Sequence, residues 1–281
     1  MRVERLTEPG AVLGEGPVWD SDDGTLLWVD IIGQKVHRTD PATGDTDTIE
    51  TPSAVGAVAK DRSGGVIASL VDGVYRLNGP DWARLVEIEP NQATNRANES
   101  KCDPHGSYLV GTMPWTGQGP TGSLHRVHPD LTVDTLRTGL TISNGLAWID
   151  DVMWHIDTPT RQVLGFEYHP EAPLGEVVGV IEVDPPGGPD GMCADVEGCL
   201  WVAVWGSGTV RRYATDGRLL DEIRVPASQV SSCVFGGPGL SLLFMTSATE
   251  NLENPDSEPE AGAVFVTEPG VQGFAPDRFG G

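Results

Sequence analysis

Residues 187–205 read GGPDGMCADVEGCLWVAVW. One acid, Asp190, stands between a proline and a glycine. After it come a short apolar run from Met192 to Ala194, a turn at Glu197-Gly198, and a second apolar run from Cys199 to Trp205. Two short strands joined by a tight turn produce this pattern. Read on to Pro226, the chain passes a polar turn into TVRRYA and then LLDEIRVP. The unit is a short apolar strand, an Asp/Gly turn, a second apolar strand, a basic or polar turn, and a third strand.

That unit recurs. It begins at Gly16 (GPVWDSDDGTLLWVDIIGQKVHRT), near Gly56 (GAVAKDRSGGVIASLVDGVYRLN), near Lys101 (KCDPHGSYLVGTM), at Gly145 (GLAWIDDVMWHIDTPTRQVLGFEYHP), at Gly191, and near Ser232 (SCVFGGPGLSLLFMTSATE). The starts are about 39–46 residues apart, the period of a four-stranded propeller blade. A single unit cannot bury both of its faces, so the units stack around an axis. The fold expected is all-β: a six-bladed β-propeller of four-stranded antiparallel blades, one domain over residues 1–281. The leading segment VERLT, residues 3–7, is expected to complete the last blade and close the ring. A pair of β-sandwiches would account for the strands but not for the period. With 36 glycines and 22 prolines among 281 residues, many short strands joined by turns are expected; helical periodicity is scarcely visible.

The chain carries 41 acidic against 18 basic residues, a net charge of −23. Such a surface repels phosphate backbones and anionic lipid, which argues against nucleic-acid and membrane partners. The first ten residues, MRVERLTEPG, carry charges where a signal peptide needs an apolar core, and no apolar run approaches the ~20 residues of a membrane span. The expectation is a soluble cytoplasmic protein, a monomer or a weak homo-oligomer, acting on a small molecule. The four cysteines lack metal spacing and lie in or beside apolar runs, so they read as buried free thiols.

In a propeller the innermost strand of each blade runs along the central channel. Residues just before that strand crowd one mouth of it. Three oxygen-bearing side chains hold that place: Glu15 in LGEGPVWD, Asn144 in ISNGLAW and Asp190 in GPDGMCAD. Each precedes a glycine, and any one alone would be an ordinary turn dipeptide. Together, two carboxylates and an amide oxygen suit a hard cation such as Ca²⁺ or Mg²⁺; Mn²⁺ fits as well, and Zn²⁺ can bind. Only three protein ligands leave open positions, as at a catalytic metal. Two stretches break the repeat. The acidic segment 251–260 reads as a solvated loop, and the polar segment 91–100 as an insertion that overhangs the same mouth and brings Arg96 and Asn98 to it.

The stretches LGEGPVWD, NRANESKCDPHGSYLVGTM, ISNGLAW, GPDGMCADVEGCLWVAVW and SSCVFGG, with the ending AGAVFVTEPGVQGFAPDRFGG, span almost the whole chain. In them the chain resembles the gluconolactonase/regucalcin (senescence marker protein) family of six-bladed propellers. The resemblance implies one divalent metal, Ca²⁺ foremost, on Glu15, Asn144 and Asp190. It implies substrate contacts from Arg96, Asn98 and Glu99, and Asp190 as general base. The activity implied is metal-dependent opening of a sugar lactone such as gluconolactone. The alternatives are hydrolysis of other lactones or phosphotriesters, or a non-catalytic calcium-binding protein. Two departures stand out. The family's Asp-Gly after the asparagine is Glu99-Ser100 here. The loop after GTM, PWTGQGPTG, lacks the acid that some members use on substrate, and offers Trp115 as an apolar or stacking face. No G-x-S-x-G elbow appears, which disfavours a serine hydrolase.

Overall fold

The six repeats fold into six antiparallel four-stranded sheets. The structure is a computed structural model and describes residues 2–252 and 254–281. Strand β1 (Glu4–Arg5) precedes blade one. Blade one is β2 to β5: Gly14–Asp20, Thr25–Asp30, Lys35–Thr39 and Thr46–Glu50. Blade two is β6 to β9: Val55–Lys60, Val66–Leu70, Gly73–Asn78 and Asp81–Glu87. Blade three is β10 to β13: Asn95–Cys102, Tyr108–Pro114, Gly122–Val127 and Val133–Leu140. Blade four is β14 to β17: Ser143–Ile149, Val152–Asp157, Gln162–Glu167 and Val177–Glu182. Blade five is β18 to β21: Gly188–Ala194, Cys199–Trp205, Thr209–Ala214 and Leu219–Arg224. Blade six joins β22 (Val230–Gly236), β23 (Leu242–Ser247) and β24 (Phe265–Thr267) to β1 from the other end of the chain. Arg5 pairs with Phe265 and Glu4 with Val266, so the N-terminal segment closes the ring as expected.

Burial explains the apolar-to-polar gradient of each unit. The inner strands β6 and β22 and the second strands β7, β11 and β19 are buried almost throughout, because neighbouring blades cover both faces. The outermost strands β5, β9 and β17 are mainly exposed, and they carry the charge. The cores lie between blades: Trp201, Phe235 and Phe265 pack blade five on blade six, and Leu27, Val55 and Ala68 pack blade one on blade two. The turns between first and second strands are stitched by buried aspartates. Asp61 Oδ1 accepts the N–H groups of Ser63 and Gly65, both at 2.8 Å. Asp103 does the same for His105 and Ser107, and Asp195 for Glu197 and Cys199. No helix among the described residues is long and apolar enough to cross a membrane.

Two expectations are corrected. Residues 91–100 do not hang over the channel as an insertion. Asn95 onward is β10, the innermost strand of blade three, which therefore begins at Asn95 and not at Lys101. Its polar letters disguised it: buried Asn95, Asn98 and Ser100 find their hydrogen-bond partners inside the protein rather than in water. Likewise Glu15, Asn144 and Asp190 do not precede their strands but lie within β2, β14 and β18. The acidic loop at 251–260 contains a short 3-10 turn at Pro255–Ser257; Glu253 lies outside the described residues.

Candidate functional site

All six inner strands break register at the same level. The slips fall between Glu15 and Val18, Val55 and Ala57, Ala97 and Ser100, Asn144 and Leu146, Pro189 and Met192, and Val230 and Ser232. A bulge re-aims side chains out of strict alternation, and such bulges cluster at functional sites. The glycines beside them are not turn glycines. A Cβ on Gly145 would stand 2.6 Å from the carbonyl oxygen of Asp190, and one on Gly191 would collide with Ser232 Oγ. Gly16 sits at φ 50°, with Ala57 of the next blade 3.3 Å from where its Cβ would be. Adjacent inner strands thus pass too closely for any side chain, and the polar residue before each glycine is held at the channel wall.

The bulges bring Glu15, Glu99, Asn144 and Asp190 together in the interior, all buried. Glu15 Oε2 accepts the N–H of Gly16 at 2.7 Å. Burial, then the Asp190 and Glu99 charges, hold the Glu15 carboxyl well above its usual value; the Gly16 N–H and Arg96 pull the other way. Burial and then Glu99 do the same to Asp190, opposed by the Asn144 amide and Arg96. Burial also raises Glu99, against the pull of Lys101. Three carboxylates therefore share a buried site, where burial disfavours the charged form of each and neighbouring carboxylates disfavour those of Glu15 and Asp190 further.

The one guanidinium beside them is Arg96. Its Nη1 donates to Asn98 Oδ1 at 2.7 Å and to the Ala97 carbonyl at 2.9 Å, and the group lies 5.8 Å from the Trp115 ring centroid. Burial lowers its pKa, opposed by the fields of Glu250, Glu15 and Asp190. Asn98 in turn donates from Nδ2 to the Ser143 carbonyl at 2.9 Å. Asn144 donates from Nδ2 to Thr158 Oγ1 at 3.1 Å, and Thr158 donates on to the Pro189 carbonyl at 2.8 Å. Asn144 Oδ1 is buried with no hydrogen-bond partner among the described residues, and so is Glu99 Oε2.

The residues singled out in the sequence converge: Arg96, Asn98, Glu99, Asn144 and Asp190 lie on the adjacent inner strands β10, β14 and β18, and Glu15 faces them from β2 of blade one. Reasoning from sequence missed Thr158, which ties Asn144 to the strand of Asp190, and Glu250, whose charge faces Arg96. Neither carries a motif. It also missed a buried brace behind Ser143: Arg137 Nη1 donates to His155 Nδ1 at 2.7 Å, which leaves His155 Nε2–H to donate to Ser143 Oγ at 3.0 Å.

Chemically, the donors are all oxygen, the carboxylates outnumber the guanidinium, and one amide oxygen is orphaned. That is the demand of a hard cation. Among the described residues no three His, Cys, Asp or Glu side chains gather closely enough to hold a metal ion by themselves. A cation between Glu15 and Asp190 therefore depends on the Asn144 amide oxygen, and the residues present fit that arrangement.

A six-bladed propeller with an acidic, oxygen-lined cluster on bulged inner strands defines the class of protein. The family-level comparison is specific: residues 13–249 match the SMP-30/Gluconolactonase/LRE-like region, and the chain belongs to that family. It is 33% identical to regucalcin of Xenopus laevis over 297 residues, covering 100% of this chain and 99% of the relative. It is 33% identical to the 6-deoxy-6-sulfogluconolactonase of Pseudomonas putida, covering 96% of each. Among solved structures, the calcium-binding protein regucalcin from Agrobacterium tumefaciens superposes with a TM-score of 0.93 at 28% identity, over 98% of this chain and 96% of that one.

Proposed function

We propose that the protein is a lactone hydrolase that opens sugar lactones with one divalent cation, Ca²⁺ first among candidates, held by Glu15, Asn144 and Asp190. Membership of the lactonase family supports lactone hydrolysis. The observation that carries the cation is the orphaned Asn144 Oδ1 beside two buried, mutually repelling carboxylates. When bound, such an ion polarises the ring carbonyl and lowers the charge cost of the oxyanion.

The chain's own residues supply the rest. Asp190 accepts a proton from the attacking water as its oxygen bonds to the carbonyl carbon. When the ring C–O bond breaks, the same carboxyl returns that proton to the departing alkoxide. Arg96 spends Nη1 on Asn98 and Ala97, and its remaining N–H groups are available to orient the hydroxyls or ring oxygens of the lactone. Asn98 holds Arg96 in place. Glu99, with Oε2 buried and unpartnered among the described residues, would offer a hydrogen bond to a lactone hydroxyl. Trp115, 47% exposed over Arg96, offers a face against the sugar ring.

The test is hydrolysis of an aldonolactone panel before and after chelation, with each of Ca²⁺, Mg²⁺, Mn²⁺ and Zn²⁺ restored. Loss on chelation and in Asp190→Ala, by about a hundredfold or more, is expected. Undiminished turnover in either case overturns the reading. The name of the Agrobacterium neighbour favours a second reading, a non-catalytic calcium-binding protein. Tight Ca²⁺ binding with no turnover of any lactone selects it.

A further inference from the structure

One well-formed cavity does not contain the acidic cluster. It occupies about 680 Å³ at the other end of the channel. Its wall comes from residues that follow the bulges on all six inner strands, among them Val18, Val58, Cys102, Ala147, Cys193 and Val234. The C-terminal tail roofs it. Gly273 N–H donates to the Leu240 carbonyl at 3.0 Å on one side, and Phe279, fully buried, donates to the Lys60 carbonyl at 2.9 Å on the other. Gly280 N–H donates to the Gly106 carbonyl at 2.8 Å, and Arg76 to the Gly281 carbonyl at 2.7 Å. The span between these anchors, residues 274–277, lines the cavity and leaves Phe274 53% exposed.

One charged group of this wall is set deep in the channel. Lys101 also lines the cavity, and its Nζ donates to the Leu146 carbonyl at 2.9 Å and to the Met192 carbonyl at 2.7 Å. Two neutral carbonyls satisfy two of its three N–H groups, and its charge acts on Glu99 without a direct ion pair among the described residues. The acids that line the cavity, Asp150, Glu197 and Asp277, belong to exposed turns and the tail. The chamber is therefore polarised, with a cation at its floor, apolar walls, and acids at its rim beside exposed Val196 and Phe274.

We propose that this chamber is a second binding site, separate from the acidic cluster, for a small monocarboxylate with an apolar body. The carboxylate takes the free N–H and the charge of Lys101, and the body lies along the inner strands toward Phe274. The floor offers one cation and no guanidinium fork, which leaves most acceptors of a phosphate or sulfate group unmet, and the acidic rim repels doubly charged heads. An apolar amine would meet the Lys101 charge.

The test uses the full-length protein in chelator, so that the acidic cluster plays no part, with octanoate, octan-1-ol and octylamine titrated by calorimetry. The expected result is one octanoate per chain, octan-1-ol weaker by about tenfold or more, and no octylamine binding. Lys101→Met is expected to bring octanoate down to the level of octan-1-ol. Because Lys101 also braces blades four and five, a second variant is needed. Ala194→Phe fills the chamber; it should abolish octanoate binding while lactone turnover stays at the wild-type rate. Failure of octanoate to bind at about 1 mM overturns the proposal. So does equal binding of the alcohol or the amine, or undiminished binding in Ala194→Phe. A lactonase reading that fails in its own assay leaves these outcomes unaffected.

Discussion

Asn98 Nδ2 donates to the backbone carbonyl of Ser143 at 2.9 Å, and that bond ties the strand of Arg96 to the strand of Asn144. The two halves of the site, the guanidinium and the oxygen groups of Asn144 and Asp190, are thus held in register by one buried amide whose other end accepts from Arg96. Asn98→Ala leaves a buried carbonyl unmet and frees Arg96. The expected cost is about 1–3 kcal/mol of stability. Lactone turnover should fall with it, and more in kcat/KM than a surface control. Thermal unfolding and steady-state kinetics on the same preparations check both.

Glu15 is destabilised as an anion by burial, Asp190 and Glu99, so its folded pKa lies above its unfolded one. The folded state then binds more protons, and stability falls as pH rises from the ordinary carboxylate range toward the raised value. In chelator, Glu15→Gln should therefore stabilise the protein, by an amount that grows as pH rises above the ordinary carboxylate range. If a divalent ion binds there as proposed, it is expected to reverse the order: wild type gains about 2.7 kcal/mol at a hundredfold excess over Kd, and the variant gains much less. A pH series of melting curves with and without Ca²⁺ decides it.

His155 is buried and accepts from Arg137, and both effects, burial first, hold its pKa well below the usual value. It stays neutral through mildly acidic pH, while the unfolded chain takes up a proton near pH 6.5. Its contribution is present above that unfolded value and is lost as pH falls toward the depressed folded one. NMR of the imidazole carbons should show the His155 titration displaced well below that of a free imidazole, and His155→Phe should flatten the acid limb of the stability profile.

Asp195 anchors blade five with every acceptor it has. Its Oδ1 takes the N–H groups of Glu197 and Cys199, and its Oδ2 takes Trp201 Nε1 and Arg212 Nε, both at 2.8 Å. Asp195→Ala leaves the Trp201 indole N–H and Arg212 Nε unmet while Glu197 still holds the other arm of the guanidinium, at an expected cost of about 1–3 kcal/mol. Asp216→Ala removes an exposed pair with Arg218 and should change stability by less than about 0.5 kcal/mol. Denaturant unfolding compares the two.

The amino-acid sequence by itself determined the six units, their order, and the closure of the ring by the N-terminal segment, because strand burial is written as a repeated apolar pattern and each turn carries its own aspartate or glycine. It also marked Glu15, Asn144 and Asp190, since the same residue chemistry before a glycine returned at equal places in the repeat. Tertiary structure alone decided what those glycines are for: at Gly145 and Gly191 they admit the neighbouring strand, contacts to Asp190 and Ser232 some 41 to 45 residues on that no local rule expresses. It turned the polar segment from Asn95 into an inner strand, because its hydrogen-bond partners lie in blade two and blade four, as with Ser100 on Ser69 and Asn98 on Ser143. Glu99, Glu250, Thr158 and Lys101 gain their meaning in the same way. A side chain's charge is local, but what compensates it is set by the blades that close around the channel.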